Sequence, residues 1–508
     1  MSYLKFKTMK FKSLFLMALV AMAFTACSKD DDLQGGGEDQ GIEEKGEAYA
    51  SLSFAMPGGA MTKASGDDKP DTDPGSKDEN TIVDVLVIGF EKVGGKHSFT
   101  QKIERKDLTS TGEGINLIFR TMKPFSIPAG DQLIYVVVNA SEKIKGKISE
   151  AIETQIEKTK KDAFDRIVFD EDTQTSLNNA AFLMTSADGA QLIKADTTVN
   201  TSANPVAIKI NVERAVGKIS FASTVADNTY IPEKKYEKFD NSKVKLIDYR
   251  LIGTRNSEYL LRRTGLNNTN SAVDGIGGSQ IQIPENYVIE PVFDDKKLEN
   301  ANHDWIKTKY SLYPATVKDN QMQNGFGGYL PLSATLEATA PQTLGYCLEN
   351  TMPSTASLKG FGTGVIFKAA YDLDGDGTPK TFYRYLGVLY ASFADLINVA
   401  THVVDADDTD VNSVSVLKQK GVDKFVGGIC YYPYWISHIK TTKDEAQIME
   451  FAIVRNNVYK LSVSKIKHLG EVAEMIDPTD PIKDGSAKLD VTISILPWVV
   501  RDNGNIEL

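Results

Sequence analysis

Cysteine is scarce in this chain of 508 residues: only Cys27, Cys347 and Cys430 occur. Two cysteines beyond the N-terminal region build no disulfide framework, and Cys347 and Cys430 read as free, buried thiols. Histidine is nearly as rare. His97, His303, His402, His438 and His468 fall into no HExxH or other metal-ligand spacing. No GxSxG elbow and no P-loop is present, and no cluster assembles a nucleophile, a base and a stabiliser. Abundant acids are no evidence for a glycosidase dyad. The expectation is a protein without catalysis, cofactor or metal. Positive charge is in deficit, with 57 Lys and Arg against 68 Asp and Glu and a net charge of −11. That balance argues against nucleic acid and anionic membrane surfaces as partners. No run after the N-terminal region is long and apolar enough to span a bilayer. What the chain does have is 41% hydrophobic and 9% aromatic residues, enough for two or three domains with sizeable cores.

From Met9 the chain reads MKFKSLFLMALVAMAFTACSKDDD. Lys10 and Lys12 precede an apolar stretch, Leu14 to Phe24, which has the length and flanks of a secretory signal over residues 1–26. Thr25-Ala26-Cys27 resembles a bacterial lipobox, with Phe24 in place of the commoner Leu. Cys27 is the expected lipid attachment point, so membrane contact is expected only through the lipid of the precursor. Ser28 to Asp32 resembles the surface-export tag of Bacteroidetes lipoproteins, and residues 27–46 form a flexible acidic leader.

Glu47 to Met56 alternates. Ala50, Leu52, Phe54 and Met56 share one face; Tyr49, Ser51 and Ser53 share the other, as in a half-buried strand. A polar, Pro- and Gly-rich stretch follows. In it Ala60-Met61-Thr62-Lys63-Ala64-Ser65-Gly66 offers a basic cleavage site, the Lys63–Ala64 bond. At the other end, Leu489, Val491, Ile493 and Ile495 also alternate, ahead of Trp498. A turn-rich lead, EMIDPTDPIKDGSAK, precedes them. One reading is a last strand closing its own sheet. The other is a donor strand for a second molecule. A first strand that proteolysis can remove and a last strand that can fill its place are what donor-strand polymerisation requires. Filling the vacated slot also protects the sheet edge.

Between these ends, Thr81 to Phe90 and Leu133 to Asn139 read as central strands, and Phe119 to Gly130, with Pro124 and Pro128, as a loop. Ile144, Ile148, Ile152 and Ile156 recur every four residues, predicting a helix on a sheet. Val206 to Val212 alternates and ends an N-terminal domain, 47–213. The C-terminal domain, 214–508, is patterned as strands with almost no helix, as in a β-sandwich, with long loops over 267–360. Asp372-Leu373-Asp374-Gly375-Asp376-Gly377 begins like a calcium loop, but Tyr383 stands where the twelfth-position acid belongs, which favours a hairpin turn. Tyr431, Tyr432, Tyr434 and Trp435 could stack on a sugar, although such clusters are more often sheet core or interface.

VERAVGKISF at 212–221, FAIVRNNVYKLSVSKIKHLG at 451–470 and ILPWVVRDNGNIEL at 495–508 resemble the Bacteroidales fimbrillins, structural subunits of type V pili. Within that family the chain is most similar to the short-fimbria stalk subunit. The resemblance implies an all-β chain of two transthyretin-like β-sandwich domains, with a few helices on the N-terminal one. It implies export as a lipoprotein to the outer membrane and cell surface, cleavage by a trypsin-like protease after the first strand, and strand-exchange assembly supporting adhesion and biofilm formation. Lys63 falls where the family has an Arg-type site, so an Arg-specific protease is not expected to cut there. Expected partners are other copies of the chain, accessory fimbrial subunits, the processing protease, and host or bacterial surface ligands. The competing readings are a fimbrial tip adhesin and a surface glycan-binding lipoprotein.

Overall fold

The computed structural model describes residues 46–497 apart from 56–72, 74, 113–116, 154–159, 171–180, 266–271, 275–279, 292–327, 334–340, 353–356, 402–411, 440–445, 474–476 and 484–488. Met56, Lys63, Ala64, Trp498 and Cys27 therefore lie outside the described residues. The strands in chain order begin with β1 (Glu47–Ala55), β2 (Asp84–Glu91), β3 (His97–Glu104), β4 (Leu108–Thr111), β5 (Ile118–Thr121), β6 (Phe125–Pro128) and β7 (Gly130–Val138). There follow β8 (Val168–Asp170), β9 (Met184–Ser186), β10 (Gln191–Ala195), β11 (Val206–Arg214), β12 (Gly217–Phe221), β13 (Thr229–Tyr230), β14 (Lys243–Ile252) and β15 (Ser257–Tyr259). The series ends with β16 (Ala272–Asp274), β17 (Gln280–Gln282), β18 (Leu330–Pro331), β19 (Gln342–Cys347), β20 (Gly364–Asp372), β21 (Phe382–Tyr385), β22 (Val388–Tyr390), β23 (Val422–Phe425), β24 (Ile429–Trp435), β25 (Asn457–Ile466) and β26 (Leu489–Pro497). Helices are α1 (Glu142–Glu153), α2 (Lys160–Asp165), α3 (Phe393–Val399) and α4 (Val414–Gln419). The fold is all-β, with sandwich-like layers.

The first core lies against a ten-stranded sheet, ordered β3-β2-β7-β9-β11-β1-β5-β4, with β10 on β7 and β6 on β1. Ile144, Ile148 and Ile152 of α1 are all buried, as their four-residue spacing predicts. Phe164 of α2 packs against Phe90, with ring centroids 5.3 Å apart, and against Tyr135. The second core is closed by two sheets, β19-β12-β25-β26 and β13-β14-β20-β24. Phe221 and Phe367 meet across it, with centroids 5.5 Å apart. A small sheet, β22-β21-β23, with α3 and α4 closes a separate cluster around Tyr383, Leu396 and Leu417.

Three expectations change. The loop over 119–130 contains β5 and β6. Pro128 is tolerated because it ends its strand, opposite Glu47 of β1. The C-terminal half holds α3 and α4, which are too short to show a period; each is started by a serine, Ser392 and Ser413, accepting the N–H of Asp395 and Val416. The turn after Asp372 is not a hairpin, because β20 pairs with β14 and β24 whereas β21 pairs with β22 and β23. Phe382 stacks on Phe425 at 4.7 Å and so carries the chain into the small sheet.

Candidate functional site: two terminal strands and a charged junction

Strand β1 is paired along both sides. Ala50 to Ala55 run parallel to Val206 to Asn211 of β11. On the other side Ser53 to Ala55 oppose β5, and Glu47 to Ala50 oppose β6. The alternation of the sequence is realised: Ala48, Ala50, Leu52 and Phe54 are buried in the first core. Phe54 stacks on Phe119, with centroids 5.2 Å apart and ring planes at 16°.

Among the described residues, strand β26 is paired along one side only. It runs antiparallel to β25, from Leu489 opposite Ile466 to Pro497 opposite Asn457, with Ile495 opposite Tyr459. Ile493 is buried in the second core and Val491 is half-buried against it. It is the edge of its four-stranded sheet. Within one chain, therefore, β1 and β26 belong to different sheets, and the last strand closes its own.

The motifs VERAVGKISF and RNNVY meet where β11 passes into β12 and where β25 begins. Arg214 donates from its backbone N to Asn456 Oδ1 at 3.4 Å and from Nε to the carbonyl of Glu79 at 3.2 Å, and its Nη2 also reaches Asn80 Oδ1. Asn456 N returns a bond to the carbonyl of Val216 at 2.8 Å. Gly217 is required here by close approach, since a Cβ at this position would lie 2.9 Å from Ile453 Cγ2 and 3.3 Å from the carbonyl oxygen of Val454. Arg455 is fully buried. Its Nη2 donates to the Tyr259 carbonyl at 2.6 Å and lies 2.9 Å from Glu349 Oε2, its Nη1 donates to the Leu260 carbonyl at 3.1 Å, and it also pairs with Glu258. Glu213 lies 3.2 Å from Arg262 Nη1. Burial pushes the Glu213 carboxyl up to about 7, against the pull of Arg262 and Arg455. Burial also raises Glu258 well above the carboxylate range. Burial brings Arg214 down to about 10.

The same junction holds the segment that precedes β2. Lys218 Nζ lies 2.8 Å from Glu79 Oε1 and 3.9 Å from Asp73 Oδ2. Tyr346 Oη donates to Glu79 Oε1 at 2.7 Å. Burial alone would raise the Glu79 carboxyl, but the bonds from Lys218 and Tyr346 outweigh it and hold the group below its ordinary value. Sequence reasoning did not identify this junction. The one available signal was charge set inside apolar runs: Glu213, Arg214 and Lys218 in one motif, Arg455 in the other.

The remaining candidates separate. Tyr432 is buried in the second core and donates to the His468 carbonyl at 3.1 Å. Tyr431 and Trp435 stand on the opposite face of β24, where Tyr431 meets Tyr329 and Trp435 Nε1 donates to the Lys359 carbonyl at 3.1 Å. The four aromatics thus form no single platform. Asp372 accepts the N–H groups of Gly375 and Gly377, while Asp374 and Asp376 pair with Lys380. Among the described residues no group of three or more His, Cys, Asp or Glu is arranged to hold a metal ion. Cys347 and Cys430 are buried and form no disulfide with each other.

The family model for the major fimbrial subunit protein type IV, fimbrillin C-terminal region, matches residues 423–504, which includes β24, β25 and β26. The minor fimbrium subunit Mfa1 of Porphyromonas gingivalis is 21% identical over 502 residues, spanning 93% of this chain and 89% of that protein. The structure is similar to that of the C-terminally truncated tip fimbrial protein Mfa3 of the same organism, with 12% identity, a TM-score of 0.38, and coverage of 89% of this chain and 100% of that one. It is similar also to a candidate cell adhesion protein of Parabacteroides distasonis, with 12% identity, a TM-score of 0.44, and coverage of 89% and 99%. The relatives matched by sequence are fimbrium subunits. Residues 423–504 thus resemble the fimbrillin C-terminal region, and the chain is similar over most of its length to the minor fimbrium subunits.

Proposed function

We propose that this chain is a structural subunit of a surface fimbrium, exported as a lipoprotein precursor with its lipid on Cys27. It is cut after Lys63 by a trypsin-like protease and loses β1. The strand Leu489–Pro497 of another copy then takes the vacated place, so the partners are further copies and accessory fimbrial subunits. The observation that supports this most is the position of β1: a nine-residue strand paired on both sides, with one wholly buried face, at the start of the described chain. Its departure would leave a slot lined by backbone groups of β11 on one side and of β5 and β6 on the other, which an incoming strand satisfies. The connecting sequence 56–72 holds two basic residues, Lys63 and Lys69, and Pro70 after Lys69 blocks trypsin-type cleavage there. β26, an edge strand held on one side, is the strand more easily released to a neighbour.

The test is limited trypsin digestion followed by gel electrophoresis without boiling. The cut protein is expected to form a ladder of multimers that the uncut protein does not form. Removal of residues 489–508 abolishes the ladder on this mechanism, and an undiminished ladder from that truncation rejects it.

A further inference from the structure

The segment between the cut site and β2 contains a second trypsin-type residue. Lys77 is exposed and is followed by Asp78 rather than proline. Its side chain is open to a protease, yet its backbone is engaged. The Lys77 carbonyl accepts from Asn80 N at 3.2 Å and from Thr81 Oγ1 at 3.1 Å. The Asp78 carbonyl accepts from Thr81 N at 3.2 Å and from Ala181 N at 3.3 Å. Ser76 and Glu79 bond reciprocally: Ser76 N donates to Glu79 Oε2 at 2.6 Å, and Glu79 N donates to Ser76 Oγ at 3.2 Å. The other Glu79 carboxylate oxygen is held by Lys218 and Tyr346, and its carbonyl by Arg214. The turn is thus fastened at the charged junction by a buried glutamate two residues beyond the scissile position. A protease must draw the residues around the cut bond into an extended strand, and here that means breaking these bonds together.

We propose that the Glu79 anchor decides where the processed chain begins: it withholds Lys77 from the protease, confines cutting to Lys63, and keeps the Ser76–Thr81 turn seated when β1 leaves. This rests on the cleavage reading above. Glu79, Lys218, Tyr346 and Arg214 act as positioning residues for processing.

The experiment is a limited trypsin time course on the full chain, with fragment N-termini read by mass spectrometry, for wild type, Glu79→Gln and Tyr346→Phe. Wild type is expected to yield a fragment beginning at Ala64 well before any beginning at Asp78. In both variants the fragment beginning at Asp78 should form roughly tenfold faster, the factor expected for losing one hydrogen bond to a buried charge. Tyr346→Phe removes only a hydroxyl and keeps the ring, so it tests the anchor even if Glu79→Gln folds poorly. Cutting of wild type after Lys77 as fast as after Lys63, or full resistance of both variants at Lys77, overturns the proposal. A wild-type chain cut after Lys63 that forms no ladder refutes the assembly reading instead, and the Lys77 comparison still decides this one.

Discussion

Arg455 is a fully buried charge, and replacing it with methionine, which keeps much of its volume, tests the junction directly. Its guanidinium is fully buried beside Glu258 and Glu349, with Glu213 completing a group of three buried carboxylates. Burial works against its charge, but the neighbouring carboxylates outweigh that and hold Arg455 firmly protonated. Without it, Glu258 and Glu349 lose their counter-charge and the carbonyls of Tyr259 and Leu260 lose their donor. Breaking a buried pair in this way costs about 3–5 kcal/mol. A carboxylate has an escape that a cavity lacks, because it can take up a proton. The loss should therefore be largest near pH 7.5 and should shrink by at least ~1 kcal/mol near pH 5.5, where Glu258, already raised by burial, is more readily neutralised. Guanidinium chloride unfolding of wild type and Arg455→Met at both pH values measures this, and the double variant Arg455→Met with Glu349→Gln should recover part of the loss at the higher pH. A loss under about 1 kcal/mol at pH 7.5, or a loss that does not change with pH, refutes the charge argument.

Two further outcomes follow from the same geometry. Glu213 has a folded-state value raised to about 7, so between its ordinary value of 4.5 and about 7 the folded state holds a proton that the unfolded state has released. That contribution favours folding at low pH and is lost as pH rises through about 7; Glu213→Gln should abolish it, leaving the variant more stable than wild type above neutrality by up to about 3 kcal/mol in denaturant melts. Phe54→Ala removes a buried ring stacked on Phe119 and should lower stability by about 3–5 kcal/mol, read by the same melts as a loss of the transition that reports the first core.

Much of the architecture was legible because it rests on local period. The alternation of Ala50, Leu52 and Phe54 marked β1, and the four-residue spacing of Ile144, Ile148 and Ile152 marked α1. What period does not carry was not legible. The parallel partnership of Ala50 with Val206 depends on residues far apart in the chain. The junction depends on five separated segments, around Glu79, Glu213, Glu258, Glu349 and Arg455, and single-sequence patterning has no term for such a meeting. The aromatic run 431–435 shows the opposite failure. Its alternation was visible, but grouping Tyr431, Tyr432, Tyr434 and Trp435 as one cluster ignored the strand geometry that sends neighbours to opposite faces.

On the proposed reading, the geometry also says what the cut itself accomplishes. β1 is held on both sides by backbone pairing and by burial of Leu52 and Phe54. At about 0.5–1.5 kcal/mol net per hydrogen bond and about 1.5–3 kcal/mol per buried large side chain, severing the connection to β2 does not by itself eject it. What cutting removes is the tether. A strand joined through residues 56–83 returns to its slot from an effective concentration on the order of millimolar, so no strand from another molecule competes. Once it is cut, each departure becomes a true dissociation, and a donor strand held by its neighbour can occupy the slot before the first strand returns. Proteolysis then acts on the competition between two strands for one groove, which is why a central strand with strong pairing can still be the one that is given up.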